Sequence, residues 1–209
     1  MISVYVWSAY IFFFLMDINL IEWNISSAIK YSIIIILFLH SFFVSFLQLK
    51  QNNRLSKRHF VTIALFCTAC ADFFLLFTNY FSIGIFCFFI VQYFYKQLLD
   101  WKEESILKIE EKKNIFLFLG LQVVFVLLWE KYYLYIIVGE YALFLVRNLF
   151  VSWRMYRQTG IYLPIAIILL FLCDCNVLLA NVTNFSVFSI LIWLFYVPSQ
   201  FILEKYTDV

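Results

Sequence analysis

Long apolar runs broken by short polar clusters fill the chain from one end to the other. A helix that crosses a bilayer needs about 20 apolar residues, at about 1.5 Å of rise each. Runs of that kind predict spans over Ile2–Ile21, Ala28–Leu49, Phe60–Thr78, Phe81–Leu99, Ile115–Trp129, Tyr132–Val151, Ile161–Val182 and Phe185–Leu203. Polar residues set the breaks. Glu22 and Asn24 end the first span, Lys50–His59 reads as a short basic loop, and Asn79–Ser82 as a tight turn. Asp100–Asn114 is highly charged and reads as an exposed amphipathic stretch. Glu130–Lys131 marks a turn, and Ser152–Gly160, with Arg154 and Arg157, a further loop. Two spans fit the pattern less well: Ile115–Trp129 is short, and the first span carries Asp17. The pattern predicts an all-α, polytopic membrane protein of about eight transmembrane helices. It is expected to be a single helical domain over residues 1–209.

Composition sharpens this reading. The chain is 65% hydrophobic and only 13% charged, whereas soluble domains are about 45–50% apolar and about 25% charged. Too few polar residues are present to cover a soluble core. The runs do not alternate, which excludes the repeating pattern of a transmembrane β-barrel. No basic patch with interleaved aromatics points to nucleic acid. The first apolar run lacks a basic leader and a small-residue cleavage site, so it is expected to be a retained span. The five cysteines, Cys67, Cys70, Cys87, Cys173 and Cys175, all lie in apolar runs, unlike a secreted disulfide framework.

Charge gives an orientation. With eight spans, both termini share a side with every Lys and Arg except Lys30 and Lys131. The positive-inside rule then places both termini in the cytoplasm.

Two of the apolar runs set an aspartate beside cysteine deep within them. Asp72 lies in ALFCTACADFFLLFTNYFS, Ala64–Ser82, and Asp174 in LLFLCDCNVLLANVTNFSV, Leu169–Val187. An ionised carboxylate in hydrocarbon is costly, so each marks a candidate functional site. Counted from the cytoplasmic ends of their spans, both lie at a depth of about 18–20 Å. Their spans run in the same direction, so the two acids could face each other at one level. Both runs also set Cys beside the acid, close on Thr-Asn-aromatic and continue through Phe-Ser. Tyr93-x-x-x-Gln97 echoes Tyr196-x-x-x-Gln200 four spans later, which suggests a parallel four-plus-four repeat.

Two facing carboxylates disfavour simultaneous ionisation, which supplies a proton donor and an acceptor in one site. The plainer alternative is that each Asp makes a polar contact that holds helices together. Lys30 either reaches a polar pocket at the outer end of its span or extends to headgroups. Gln92, Tyr95, Tyr196 and Gln200 are polar groups within spans, suited to binding a headgroup, orienting water or bonding between helices. Glu140 and Arg147 share a helix face, and an ion pair to another helix is the reading for Arg147. Cysteines without an accompanying His read as small apolar contact residues, so neither a metal nor another cofactor is expected.

The order of these features resembles the YhhN-type membrane family, which includes the lysoplasmalogenases. The matching positions are Lys30-Tyr31, Ala71-Asp72, Phe88 to Tyr95 around Gln92, Cys173-Asp174, and Tyr196 to Ile202. Tyr31, Ala71, Gln92 and Cys173 stand where that family has Pro, Gly, His and Ser. Gln92 cannot titrate as His does. The resemblance implies hydrolysis of the vinyl ether bond of a lysoplasmalogen to a fatty aldehyde and a glycerophospho-alcohol. It implies Asp72 and Asp174 as the catalytic acid and base, in either order. It also implies Lys30 near the substrate phosphate, with Gln92, Tyr95, Tyr196 and Gln200 lining the pocket. The expected partners are a lysophospholipid substrate and the bilayer. The rival readings are a small transporter or lipid-binding membrane protein without hydrolase activity, and a homologue that keeps the fold but not the activity.

Overall fold

The computed structural model describes residues 2–18, 23–52, 56–100, 130–183 and 185–206. Among them are seven helices and no strand: α1 (Ile2–Ile18), α2 (Trp23–Asn52), α3 (Lys57–Phe77), α4 (Phe81–Leu99), α5 (Glu130–Thr159), α6 (Tyr162–Thr183) and α7 (Ser186–Tyr206). Six of these, α2 to α7, contain stretches long and apolar enough to cross a membrane, and α1 is a shorter apolar helix. The protein is a multi-pass membrane-type helical protein. The expected span Ile115–Trp129 and most of the charged stretch Asp100–Asn114 lie outside the described residues.

Two expected loops are helical instead. α2 runs on to Asn52 and α3 begins at Lys57, leaving little of the Lys50–His59 loop. The capping box of Ser56 and His59 explains the early start of α3, because the His59 ring receives the Ser56 backbone N–H at 3.0 Å. α5 continues through Ser152 to Thr159, so Arg154 and Arg157 project from its last turns rather than from a loop. Gly160 follows with φ of 72°, a conformation that stops the helix at little cost only for glycine.

The helices close into a ring in chain order from α2 to α7, with α7 returning against α2 and α3 and α1 packed on α2 and α7. Large apolar side chains such as Phe42, Phe43, Leu143, Phe150 and Val182 face outward, while Lys30, Arg58, Asp72, Gln92, Asn148, Gln200 and Glu204 are buried. That distribution inverts the soluble pattern and suits a bundle solvated by lipid tails, where every polar group must find its partner inside.

The internal partners tie specific helices together. Thr62 of α3 meets the Ser41 and Ser45 hydroxyls of α2 at 2.7 and 2.6 Å. At one end, Glu204 of α7 accepts from Arg58 of α3 at 2.6 Å and contacts His40 of α2 at 2.7 Å. Arg147 of α5 makes the expected interhelical ion pair, gripping both oxygens of Asp100 at 2.8 Å. Partial burial raises the Asp100 carboxyl pKa, but Arg147 and Lys96 outweigh it and hold the group below its ordinary value.

α7 contains Pro198, which has no N–H for the Leu194 carbonyl one turn back. The Tyr10 hydroxyl of α1 donates to that carbonyl at 3.1 Å, so a neighbouring helix supplies the missing bond.

α3 and α4 approach closely at Gly84. A Cβ there would lie 2.7 Å from Leu75 Cγ and 3.2 Å from the Ala71 carbonyl oxygen, one residue before Asp72. Gly84→Leu is expected to destabilise the bundle by about 1–3 kcal/mol. Thermal unfolding in detergent checks this, and an unchanged midpoint would show that the helices separate freely.

Candidate acid pair in the helix interior

Five helices, α3 to α7, contribute polar side chains to one interior. Asp72 of α3 is 4% exposed and accepts a hydrogen bond from the Tyr196 hydroxyl of α7 at 2.8 Å. Asp174 of α6 is half-buried and accepts from the Tyr141 hydroxyl of α5 at 2.5 Å. The helical period accounts for Asp72. Thr68, Ala71 and Asp72 share the inward face of α3 at spacings of three and four, while Phe73 turns outward.

α3 and α6 do not pack directly on each other; α7 touches both. The thiol of Cys173, buried on α6, lies within electrostatic reach of Asp72 and of Asp174. Each carboxylate is steadied by a phenol from a different helix, Asp72 from α7 and Asp174 from α5. Tyr31 of α2 also lies within reach of Asp72.

The other expected residues are buried around this pair. The Tyr95 hydroxyl donates to Gln200 Oε1 at 3.1 Å, joining α4 to α7. Gln92 faces the Tyr141 hydroxyl and is fixed by Asn148 of α5, whose Nδ2 donates to the Gln92 backbone carbonyl at 2.9 Å and to its Oε1 at 3.0 Å. Asn148 thus ties α5 to α4, and Tyr141 ties α5 to α6. The Gln92 amide nitrogen is buried with no hydrogen-bond partner among the described residues. Glu140 is half-buried on α5, one residue before Tyr141.

Lys30 stands apart from the acids and does not extend to the surface. It is 1% exposed and its ammonium lies 2.6 Å from Asp17 of α1. Asp17 also accepts from the Ser26 hydroxyl. The Lys30 ammonium lies 5.4 Å from the Phe13 ring centre and 5.2 Å from that of Trp193. Trp193 in turn packs edge-on against Tyr196, the phenol that meets Asp72.

Sequence reasoning missed Asp17, Tyr141, Asn148 and Trp193 as members of this region. Tyr141 could have been found by its helical offset of seven from Asn148 on the same face. Among the described residues, no group of three or more His, Cys, Asp or Glu side chains is placed to hold a metal ion.

The two acid–phenol pairs do not repeat each other. A four-plus-four repeat would pair Asp174 with a tyrosine of α4, as Asp72 pairs with one of α7. Its partner comes from α5, and the α4 tyrosine of the echoed motif, Tyr93, instead accepts from Gln97 at 2.6 Å.

The family model described as YhhN matches residues 25–205. The chain belongs to the YhhN family. The match takes in α3 to α7 and nearly all of α2, and therefore every residue of the acid pair and its phenols. It begins after α1, so the Asp17 and Phe13 of this YhhN protein lie outside it. Comparison with curated proteins finds no match, and comparison with solved structures finds none.

Proposed function

We propose that this protein hydrolyses the vinyl ether bond of a lysoplasmalogen within the membrane, using Asp72 and Asp174. The observation that carries the reading is the pair of intramembrane carboxylates, each hydrogen-bonded to a tyrosine and both within reach of Cys173. Membership of the YhhN family supports it. The proposal includes eight spans, counting α1 and the stretch Ile115–Trp129, and both termini on the cytoplasmic side with most of the basic residues.

The chemistry divides between the acids. Protonation of the vinyl β-carbon breaks the double bond and leaves an oxocarbenium ion at the adjacent carbon. Asp72, the more enclosed carboxyl, is the donor to that apolar carbon. Asp174 takes a proton from the water as it adds. The resulting hemiacetal then breaks its carbon–oxygen bond to the glycerol: Asp174 gives its proton to the departing oxygen, and Asp72 takes the proton of the hemiacetal hydroxyl as the aldehyde forms, which restores both groups. Negative charge beside the cation lowers the barrier, as the paired carboxylates of glycosidases do for a similar ion. Tyr196 and Tyr141 hold the carboxylates in position, and Gln92, Tyr95 and Gln200 form the polar wall near them.

The test is aldehyde release from lysoplasmenyl-ethanolamine by the purified protein in detergent or nanodiscs. Release above the uncatalysed rate supports the reading. No release, where a known lysoplasmalogenase works in parallel, would overturn it.

A further inference from the structure

The direction in which the Gln92 amide points is set from the edge of the bundle. Arg147 carries only donors, and both oxygens of Asp100 hold it at 2.8 Å. Its Nη1 donates to Asn148 Oδ1 at 3.2 Å, which turns the Asn148 amide nitrogen the other way. That nitrogen donates to the Gln92 backbone carbonyl at 2.9 Å and to Gln92 Oε1 at 3.0 Å. A flipped Gln92 amide would set its NH2 against that of Asn148, donor on donor. The series Asp100, Arg147, Asn148, Gln92 therefore runs in one sense and leaves Gln92 Nε2 as a fixed donor at its inner end.

Gln92 is 1% exposed, and this nitrogen has no hydrogen-bond partner among the described residues. The Gln92 side chain lies beside the Tyr141 hydroxyl, which in turn donates to Asp174. A fixed donor and a carboxylate thus share one phenol as neighbour. A buried N–H without an acceptor is costly, so the donor calls for an oxygen from outside the protein. Next to a carboxylate, the matching oxygen accepts from Gln92 and carries a proton for Asp174.

We propose that Gln92 positions the oxygen that adds to the substrate, first as water, then as the hemiacetal hydroxyl and last as the aldehyde carbonyl. This rests on the hydrolase reading for its reaction. The water accepts from Gln92 Nε2 and turns one O–H to Asp174, which leaves a lone pair for the carbon of the oxocarbenium ion. A carbon–oxygen bond forms, the O–H bond breaks, and Asp174 takes the proton. The N–H bonds of Gln92 stay intact. When the hemiacetal opens, the same oxygen becomes a carbonyl and still accepts from Gln92.

A ligand class follows from this placement. A lysophospholipid with an ester in place of the vinyl ether carries a carbonyl oxygen on the same carbon. Its carbonyl meets Gln92 without any reaction. A saturated alkyl ether has only a methylene there and leaves the donor without an acceptor. The site therefore recognises acyl lysophospholipids in preference to alkyl-ether ones.

The experiment measures equilibrium binding to the full chain in nanodiscs. The probes are an acyl lysophosphocholine and the alkyl-ether lysophosphocholine of the same chain length, which differ only in the carbonyl. Wild type is expected to bind the acyl lipid about fivefold to tenfold more tightly, the worth of one hydrogen bond to a buried donor. Gln92→Leu is expected to bind the two alike, with its affinity for the alkyl ether within about twofold of wild type. In that variant Asn148 keeps the backbone carbonyl of residue 92 as its acceptor, so the helix contact stands. Asn148→Asp offers Gln92 an acceptor in place of a donor, next to the guanidinium of Arg147. It is expected to flip the Gln92 amide and erase the preference with Gln92 itself unchanged. Equal binding of the two lipids by wild type, or binding of neither, would overturn the proposal. A preference that survives Gln92→Leu, or that survives Asn148→Asp in a folded protein, would do the same. Equal weakening of both lipids in Gln92→Leu would reduce Gln92 to a packing contact and sink the proposal. Carbonyl preference in a wild type that releases no aldehyde would leave this donor site standing while removing the hydrolase reading. Aldehyde release without the preference would do the reverse.

Discussion

Asp72→Asn is expected to lower aldehyde release from lysoplasmenyl-ethanolamine by about 10²- to 10⁴-fold, the usual contribution of a positioned acid or base. The substitution keeps the shape of the side chain and an oxygen that can accept from Tyr196. The bundle should therefore remain folded, with the proton donor removed. Asp174→Asn is expected to fall into the same range, by loss of the group that takes the proton from water. The double variant should be little slower than either single one, because two residues that act on one step are not additive. Tyr196→Phe and Tyr141→Phe are expected to lose less, since each removes a hydrogen bond to an acid and leaves the acid. Rates measured beside thermal unfolding curves separate chemistry from folding. Wild-type release in a folded Asp72→Asn protein would remove Asp72 from the mechanism and return it to a helix contact.

Arg58→Met is expected to be the most destabilising single change outside the acid pair. Arg58 is 1% exposed and Glu204 is 0% exposed, and the two meet at 2.6 Å between the first turn of α3 and the last turn of α7. Removing the guanidinium leaves the Glu204 carboxylate buried, with His40 and Lys205 among its neighbours. Breaking a buried pair from one side costs about 3–5 kcal/mol, which for a chain of this size lowers the unfolding midpoint by about 10 °C or more. Arg58→Met combined with Glu204→Gln is expected to recover much of that loss, because the charge left without its guanidinium is gone. The check is the midpoint of both proteins in the same detergent. A double variant as unstable as the single one would mean that packing of the arginine stem, and not the charge, holds this end of the bundle.

The apolar runs announced the helices, because in lipid the length of an apolar run is itself the constraint. α4 falls on the predicted bounds Phe81–Leu99, where a turn and Asp100 bracket it. The end of α5 was not legible in the same way. Trp153, Met155 and Tyr156 alternate with Arg154 and Arg157, and such a mixture reads as a loop until its helical continuation is seen. Arg58 looked like one more residue of a basic loop, since its partner Glu204 stands 146 residues away. Asp72 and Asp174 stood out because a carboxylate within an apolar run has few neutral explanations. Tyr141 did not, as one of 14 tyrosines. Asp17 read as a blemish on the first span. Its meaning came only from the fold, which turns α1 back on α2 and brings the carboxylate to Lys30.

The family match opens at Ile25, beyond the last residue of α1. The matched stretch therefore takes in both carboxylates and their phenols, and Lys30 and Trp193 with them, but neither Phe13 nor Asp17. The edge of the match thus falls inside the ion pair of Asp17 and Lys30. A first helix taken from another family member would have to bring its own counter-charge to Lys30, or leave a cation buried alone.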